Sequence, residues 1–324
     1  MKQRRIPDPK PLFVERMNKL ITEEKDREAY WNISKIEPQN SIRCNTIKIS
    51  PEELRNKLEK RGWKISQPWK DYPEVMIVES DLRPGELGRS TEHLLGYYYI
   101  QELSSMLPIL ALTPKENELI LDLCAAPGSK TTQAAAKMKN TGTIIANEVS
   151  LGRLSILAIN LERCGALNAI LSRKDGRSIC KNFKELNIQF DKILVDAPCS
   201  GEGTIRSSPL TYIIWNPRTI KTMTLLQESL FLNAFEALKV GGEIVYSTCT
   251  HAPEENEEVI DYFLKKLGNR IEVLDFELPI KTRPGITTWE NKEYDKRVQK
   301  AKRVYPQDNN TEGFFVSKFR KVKE

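Results

Sequence analysis

Short apolar runs alternate with segments of helical spacing from residue 119 onward. Seven of these runs have the length of buried strands: LILDL, TIIANEV, AILSR, KILVDAP, GGEIVYSTC, IEVLDF and GFFVSKF. The segments between them, such as TTQAAAKMK and GRLSILAINLERCG, carry apolar residues three to four positions apart, which is typical of covering helices. Because strands that alternate with helices imply crossover connections, the pattern predicts an α/β, Rossmann-like fold with a seven-stranded, mostly parallel sheet.

The chain before residue 112 has the pattern of a small α+β unit. SIRCNTIKI alternates like a strand, and EVMIVES is a second strand. Between them, SPEELRNKLEKRG predicts a helix with Ser50 as its cap and Glu53 three positions further on. The order strand, helix, strand therefore precedes the long alternating segment.

Residues 10–31 also have helical spacing. Proline and charged residues at 112–118 separate the two patterns along the chain. We therefore predict two domains, a helical plus α+β N-terminal domain over residues 1–112 and a catalytic domain over residues 113–324.

The composition is that of a globular chain without a membrane span. Apolar residues make up 40% of the 324 residues and charged residues 29%. No window approaches the roughly 18 uncharged apolar residues that a spanning helix needs. The start, MKQRRIPDPKPLF, is basic but leads into no apolar run, so it lacks the pattern of a secretory signal. We predict a cytoplasmic, monomeric protein with no membrane partner.

The six cysteines contain no C-x-x-C pair, and the chain has only two histidines. The missing C-x-x-C pair and the small number of histidines argue against a disulfide framework and against a zinc site. We therefore predict reduced thiols and no bound metal.

The net charge of +6 is concentrated at the two ends of the chain. Residues 1–50 hold 11 Lys/Arg against 7 Asp/Glu, and residues 268–324 hold 13 against 9, whereas residues 113–267 balance. Basic flanks around a neutral core suit a polyanionic partner such as RNA, although so small a surplus is also ordinary for a globular protein.

The first strand of the long sheet leads into DLCAAPGSKTT, a turn of small residues that opens a helix. Ligands of doubly wound sheets bind at the carboxyl ends of the strands, so this turn is the expected cofactor site. A dinucleotide fingerprint needs three glycines, and only Gly128 is present. A P-loop needs glycine before Lys130, and Ser129 stands there instead.

S-adenosylmethionine fits this turn better, because it carries no phosphate group that would need a nest of backbone N–H groups. The residues of the turn expected to contact it are Cys124, Ala125, Ala126, Pro127, Gly128, Ser129 and Lys130. Glu148 ends the second strand, where dinucleotide-type folds place the carboxylate that binds ribose hydroxyls. Asp175 follows the third strand and is a candidate for the adenine amine. Alternatively, either carboxylate is a solvated charge at a strand end.

Two neighbouring strand ends carry a cysteine, Cys199 in DAPCSGEG and Cys249 in STCT. A single buried cysteine is more often a small apolar residue than a nucleophile, but two at one edge favour thiol chemistry. Methylation of an exocyclic amine would place an aromatic residue after DAP, where Cys199 stands. The pattern therefore favours nucleophilic catalysis, with either cysteine as the nucleophile.

Carbon 5 of a pyrimidine is too weak a nucleophile to take a methyl group unaided. A thiolate that adds to carbon 6 turns the ring into an enamine that attacks the methyl donor. Asp196 lies where a buried carboxyl group would hydrogen-bond ring nitrogen 3. Lys130, near the same edge, is expected to lower the pKa of a thiol through its charge.

In these motifs the chain resembles the RNA cytosine-5 methyltransferases of the Sun/NSUN group, which have a Rossmann-like class I methyltransferase fold. The resemblance covers roughly residues 40–320 and includes DLCAAPGSKTTQ, DAPCSGEG, STCT with the following PEENEEVI, and TEGFFVSKF, in family order. It implies that Cys249 is the nucleophile and that Cys199 assists product release.

The resemblance also implies that the loop 124–130, Glu148, Arg153, Asp175 and Asp196 bind S-adenosylmethionine. The N-terminal domain resembles the family's RNA-recognition-motif-like module but lacks the aromatic RNP signature, so it is expected to position RNA rather than to stack on bases. The expected substrate is a flipped or unpaired cytosine in tRNA, with ribosomal RNA as the alternative. A scaffold without activity is a further alternative, but the catalytic set is intact.

Four features in the last quarter of the chain depart from the family pattern or lack an assigned role. Gln307 stands where relatives often have histidine, and residues 277–303 match poorly. His251 would serve either as a base or as a loop residue. The basic residues of NKEYDKRVQKAKRV would either grip RNA phosphates or form a solvated helical face; they are Lys292, Lys296, Arg297, Lys300, Lys302 and Arg303.

Overall fold

A computed structural model of the protein describes residues 7–324, so the first six residues of the basic start lie outside it. The N-terminal part of the chain forms a small sheet with flanking helices. Its elements are α1 (Pro11–Leu20), α2 (Glu24–Ile33), β1 (Asn40–Cys44), α3 (Pro51–Lys60), β2 (Ile65–Ser66), β3 (Val75–Val78), α4 (Glu86–Arg89), α5 (Thr91–Leu94) and β4 (Tyr98–Ile100). The sheet is antiparallel, with strand order β2-β3-β1-β4.

The predicted capping box starts α3. The Ser50 hydroxyl accepts the N–H of Glu53, and the Glu53 carboxylate accepts the N–H of Ser50 in return. Two buried leucines of α3, Leu54 and Leu58, pack against the small sheet. The predicted strand, helix and strand are therefore β1, α3 and β3, and the region 10–31 forms the two helices α1 and α2.

The remaining chain forms the catalytic sheet and its covering helices. In chain order these elements are α6 (Leu107–Leu112), β5 (Leu119–Asp122), α7 (Ser129–Lys137), β6 (Thr143–Asn147), α8 (Leu151–Cys164), β7 (Ala169–Ser172), α9 (Gly176–Glu185), β8 (Phe190–Asp196), α10 (Thr211–Ile214), α11 (Pro217–Glu236), β9 (Leu238–Thr248), α12 (Glu257–Leu267), β10 (Ile271–Leu274), β11 (Arg283–Pro284), β12 (Thr288–Trp289), β13 (Lys292–Glu293), β14 (Lys302–Val304), α13 (Pro306–Asn309) and β15 (Phe314–Lys321). None of the helices within residues 7–324 is long and apolar enough to cross a bilayer.

The catalytic sheet has nine strands in the order β11-β14-β15-β9-β8-β5-β6-β7, with β10 also paired to β15. The five strands from β9 to β7 are parallel, and the pairs on the other side of β9 are antiparallel. The Rossmann-like fold is confirmed and all seven predicted strands are present. The count of seven was wrong, because β11 and β14 are only two and three residues long and give no periodic signal.

Alternating residues of the central strands bury both faces of the sheet. In β8, Ile193 and Val195 pack in one apolar cluster with α11 and α12, whereas Leu194 packs in the other with α6 and α7. These side chains are at most 1% exposed. The double burial explains why the strands read as continuous apolar runs in the sequence.

Helix α6 packs against the catalytic sheet, although it lies before the predicted boundary at residue 112. All its residues are buried, and its apolar side chains share a cluster with Leu194 and Val245 of that sheet. This packing favours assigning α6 to the catalytic unit. The boundary between residues 112 and 113 itself stays a prediction.

A buried arginine connects the small sheet with helix α7 of the catalytic part. Arg43 of β1 is 2% exposed and donates to the carbonyl of Ser129 at 2.7 Å and to the Thr132 hydroxyl at 2.8 Å, both on α7. It also donates to the side chain of Gln101. The strand of the small sheet is thus held against the first turn of the helix that follows the predicted cofactor loop.

Replacing Arg43 with methionine should lower the free energy of unfolding by about 2 to 3 kcal/mol, because the buried acceptors on α7 and Gln101 lose their donor. Denaturant unfolding measures this change. The matched control is Arg83→Met, since Arg83 is exposed, and it should change stability by less than about 0.5 kcal/mol. If both substitutions changed the free energy of unfolding equally, the hydrogen bonds of Arg43 to α7 would not contribute to stability.

Candidate active site

The carboxyl ends of the five parallel strands bring the predicted site residues to one edge of the sheet. The loop 124–130 follows β5, Glu148 follows β6 and Asp175 follows β7. Cys199 follows β8 and Cys249 follows β9. Because these strands are neighbours in the sheet, residues from five separate sequence regions converge there.

A cavity of about 300 Å³ opens beside the predicted cofactor loop. Its polar wall includes Glu148, Arg153 and Asp175, and its apolar wall includes Pro198 and Leu230. Carboxylates suit the hydroxyl and amine groups of S-adenosylmethionine, and an apolar wall suits its adenine ring. The side chains that line the cavity therefore fit this cofactor.

Glu148 and Arg153 are tied to each other and to the loop. Glu148 is 2% exposed, accepts the N–H of Ser150 at 2.9 Å and pairs with Arg153 at 3.1 Å. The same guanidinium donates to the carbonyl of Ala126 at 2.6 Å. Arg153 thus connects the second strand end with the cofactor loop.

Asp175 caps α9 and pairs with a neighbouring cation. Its carboxylate accepts the backbone N–H of Arg177 at 2.9 Å and pairs with the Arg177 guanidinium at 2.7 Å. The hydrogen bonds from Arg177 lower the pKa of Asp175 to about 2, so the carboxylate is ionised at neutral pH.

The two predicted catalytic cysteines face each other. Their sulfur atoms lie 3.2 Å apart, although the residues are 50 positions apart in the chain. The contact with Cys249, together with burial, raises the pKa of Cys199 well above its ordinary value. Cys199 is therefore a neutral thiol at physiological pH and can donate its S–H to the sulfur of Cys249.

Asp196 and Lys130 form an ion pair at the same edge of the sheet as the two cysteines. Lys130 Nζ lies 2.8 Å from Asp196 Oδ2 and also donates to Ser105 Oγ at 3.0 Å. The Ser247 hydroxyl donates to Asp196 Oδ1 at 2.7 Å. The sequence predicted that Lys130 would lower the pKa of a thiol, but its ammonium group is engaged by Asp196 and the pKa of Cys199 is raised.

Two glycines allow the TEGFF motif to reach the backbone of Cys249. The N–H of Gly203 donates to the carbonyl of Cys249, and the N–H of Gly313 donates to the carbonyl of Gly203, both at 2.9 Å. A Cβ atom on Gly313 would lie 2.3 Å from the ring of His251, and one on Gly203 would lie 2.3 Å from the carbonyl oxygen of Gly313. Only glycine fits this close approach.

His251 is a buried, neutral residue. It is 2% exposed and stacks on Tyr305 with ring centroids 5.1 Å apart. Burial lowers its pKa to about 3, with a further contribution from the charge of Arg303. So weak a base, enclosed by protein, is unsuited to take a proton from substrate, and the alternative of a loop residue with a packing role fits the structure.

Two buried carboxylates close to the site were not singled out by sequence reasoning. Asp122, at the end of β5, accepts the Thr131 hydroxyl at 2.7 Å, and burial raises its pKa to about 7. Burial likewise raises the pKa of Glu255 to about 7; its carboxylate contacts the backbone next to Cys199. Both lie within quoted motifs, but only the tertiary packing reveals their burial.

Gln307 has a structural partner. Its side-chain amide donates to Asp26 on α2 at 3.0 Å, which ties α13 to the N-terminal helices. Arg283 pairs with the same carboxylate. The position where relatives often have histidine therefore takes part in a contact between distant parts of the chain.

Most of the basic side chains in residues 292–303 contact partners within the protein. The segment forms no α-helix, and Lys296–Lys300 form a 3-10 helix. Lys292 pairs with Glu258 at 2.6 Å, and the buried Arg303 pairs with Glu257 at 2.5 Å. Lys302 has a carboxylate partner as well. Cations engaged in this way are poorly placed to grip phosphates, and the predicted phosphate clamp lacks support.

Comparison with known proteins agrees with this geometry. The family model described as 16S rRNA methyltransferase RsmB/F matches residues 109–320, and the model of the N-terminal domain of 16S rRNA methyltransferase RsmF matches residues 9–103. Among solved structures, NSun6 from Pyrococcus horikoshii with SFG superposes with a TM-score of 0.83 at 25% identity, covering 97% of this chain and 99% of that one.

Two curated relatives differ in the RNA they are named for. A tRNA (cytosine(49)-C(5))-methyltransferase of Pyrococcus abyssi is 41% identical over 309 residues, 95% of each chain. Ribosomal RNA small subunit methyltransferase F of Psychromonas ingrahamii is 38% identical over 316 residues, which cover 96% of this chain but 63% of that protein. The chain thus spans less than two thirds of the length of the latter relative.

The fold and the cofactor cavity define a Rossmann-like methyltransferase that uses S-adenosylmethionine. The chain belongs to the 16S rRNA methyltransferase RsmB/F family, within the Sun/NSUN group of RNA cytosine-5 methyltransferases.

The ring of His251 should stay neutral from pH 8 down to pH 5, since its pKa is lowered to about 3. Because the chain has only two histidines, ring NMR signals can be followed through a pH titration. The variant His93→Gln assigns the remaining ring to His251. A His251 signal that titrates with a midpoint near the ordinary value of about 6.5 would contradict its burial.

Proposed function

We propose that this S-adenosylmethionine-dependent RNA cytosine-5 methyltransferase acts on tRNA, with Cys249 as the nucleophile and Cys199 as the residue that assists release. The observation that carries the assignment is the 3.2 Å contact between the two sulfur atoms, at the sheet edge that also holds the ion pair of Asp196 and Lys130. A pair of thiols at this edge suits covalent activation of a pyrimidine.

In the proposed reaction the thiolate of Cys249 adds to carbon 6 of the cytosine, which makes carbon 5 nucleophilic. The S–H of Cys199 stabilises the Cys249 thiolate before the attack, because its own raised pKa keeps it protonated. Release then requires loss of the carbon-5 proton and departure of the Cys249 sulfur. Cys199, in contact with that sulfur, assists this second step.

Asp196 is assigned to ring nitrogen 3 of the cytosine, where its ionised carboxylate would accept a hydrogen bond from the N–H that forms when solvent protonates this nitrogen in the adduct. The pairing with Lys130 at 2.8 Å and the bond from Ser247 at 2.7 Å fix the orientation of its carboxyl group. Lys130 therefore acts on the base through Asp196, rather than on a thiol directly. The pair orients the ring so that carbon 6 faces a sulfur atom.

The cofactor is assigned to the cavity between the strand ends and α11. When bound, S-adenosylmethionine supplies an electrophilic methyl group. Cys124 of the loop 124–130 and Arg153 line one side of the cavity, whereas Glu148 and Asp175 supply the carboxylates for the hydroxyl and amine groups of the cofactor. Asp196, at the end of β8, is the residue that joins the cofactor side to the substrate side.

Residues 1–112 are proposed to position the RNA, in line with the resemblance of the small sheet to an RNA-recognition module. The small sheet is held to α7 by Arg43, so RNA bound there has a fixed distance to the site. The target cytosine must be unpaired or flipped, because carbons 5 and 6 are shielded in a stacked helix. Cytoplasmic location and a monomeric state stay predictions.

tRNA is preferred because the relative named for tRNA matches over 95% of both chains. Ribosomal RNA is the second candidate, because the family model and the Psychromonas relative are named for it. That relative carries residues beyond the shared part. Both candidates use the same site and differ only in the RNA that is bound.

The variant Cys249→Ala should abolish methyl transfer and any covalent protein–RNA adduct, whereas Cys199→Ala should accumulate the adduct because release fails. Denaturing gel electrophoresis with labelled RNA detects the adduct, and labelled cofactor measures transfer. The control Cys180→Ala, at a buried cysteine within α9, should behave like the wild type. An adduct trapped by Cys249→Ala would reverse the two roles.

Bisulfite sequencing of total tRNA and 16S rRNA, each incubated with the protein and cofactor, should show new 5-methylcytosine in tRNA. The Cys249→Ala variant serves as the background for both RNAs. Methylation confined to 16S rRNA would establish the second candidate and exclude the first.

A further inference from the structure

The loop that carries Cys199 is held on both sides of that residue. On one side, the carbonyl of Pro198 accepts a hydrogen bond from Gln227 Nε2 at 2.8 Å. On the other side, the N–H of Ser200 donates to Glu255 Oε2 at 3.0 Å. The peptide groups that flank Cys199 therefore have one side-chain partner each.

These two partners also bind each other. Gln227 Nε2 donates to Glu255 Oε2 at 2.8 Å, and both side chains are fully buried, at 0% exposure. The hydroxyl of Tyr246 donates to the backbone carbonyl of Glu255 at 2.6 Å, which fixes the turn that carries the carboxylate. We call Gln227 and Glu255 the Cys199 clamp.

The clamp sets the position of one sulfur relative to the other. Ser200, whose N–H is held by Glu255, shares a hydroxyl contact of 2.8 Å with Thr250, the residue after Cys249. Glu255 itself lies six residues beyond Cys249 in the turn that follows β9. The two cysteine loops are thus joined through the clamp.

A purely structural role would not explain why Glu255 is buried. A buried carboxyl group without a cationic partner has a desolvation penalty that lowers the stability of the fold. Its hydrogen-bond donors are Gln227 and the backbone of Ser200, and neither of them is a cation. The contact with Ser200 is made to the Cys199 loop itself, and the contact with Gln227 reaches the same loop through Pro198. The geometry therefore points to the function of that loop.

We propose that Glu255 and Gln227 are positioning residues for the release step, acting through Cys199. This inference rests on the proposed function of Cys199. Release requires the carbon-5 proton to pass to a base while the bond between Cys249 Sγ and carbon 6 breaks, with its electron pair returning to sulfur. With the clamp lost, Cys199 Sγ moves away from Cys249 Sγ, and this step slows while the earlier attack by Cys249 continues.

The test compares Glu255→Ala with the wild type under single-turnover conditions, on whichever of tRNA or 16S rRNA the wild type methylates. We expect the methyl group to be transferred at a rate within about threefold of the wild type, and release from the covalent adduct to slow about tenfold or more, because the N–H of Ser200 and the amide of Gln227 both lose their acceptor. Denaturing gels measure the adduct and labelled cofactor measures transfer.

The conservative variant Glu255→Gln should restore release, because an amide oxygen can accept the same two hydrogen bonds. Gln227→Ala should accumulate adduct as Glu255→Ala does, and it tests the clamp if the latter variant fails to fold. The matched control is Glu258→Gln in the same motif, since Glu258 pairs with Lys292 away from the sulfur atoms, and it should release product at the wild-type rate.

Several outcomes would overturn the inference. Transfer and release that fall together in a folded Glu255→Ala or Gln227→Ala variant would show a general structural role, and unchanged release would show no role. Failure of Glu255→Gln to restore release would exclude positioning by hydrogen bonds. If Cys199→Ala itself traps no adduct, the proposed function of Cys199 fails first and the inference falls with it, so the two failures are distinguishable.

Discussion

The parallel pairing of β8 with β9, regular from Lys192 to Asp196, is the constraint on which the site depends. Asp196 lies opposite Ser247 in this pairing, and the cysteines follow within three residues of these partners. Apolar clusters cover both faces of the central strands, so a shift by one residue would move each side chain into the opposite cluster and disrupt the packing of both. The same hydrophobic packing that stabilises the fold therefore sets the distance between the two thiols.

The chemistry of the edge relies on sulfur and carboxylate groups rather than on imidazole. His251 is held neutral by burial, and Lys130 is committed to Asp196. Cys199 is kept protonated by its neighbour and by its surroundings. Under the proposed function the two thiols have different tasks although their side chains are identical, and their different contacts support that proposal.

Sequence reasoning located what lies in long local patterns. The strand runs, the capping box at Ser50 and the motifs around Cys199 and Cys249 are local signals, and they placed the fold and the edge of the sheet. It missed β11 and β14, whose few residues have no periodicity, and the count of strands was therefore wrong. The bridge from Arg43 to α7 joins residues 86 and 89 positions apart, and no local pattern encodes such a contact.

The effect of Lys130 on the pKa of a thiol stays a prediction, but the contacts of its ammonium group could not be read from the sequence. A lysine near a strand edge has several acceptors within reach, and only the packing decides which one it contacts. Here Lys130 pairs with Asp196 and donates a hydrogen bond to Ser105. Roles such as those of Cys199 and Cys249 came from a family resemblance, because their spacing alone is compatible with either assignment.

The position of β15 in the sheet has a consequence for biosynthesis. This strand covers Phe314–Lys321 and lies between β9 and β14, with six residue pairs to β9 alone. During translation, residues up to about 310 emerge with the open edge of β9 unprotected and with the backbone partner of Gly203 still missing. A chaperone that shields exposed strand edges would thus act on the nascent chain late, and a ribosome stalled shortly before this strand would present an aggregation-prone intermediate.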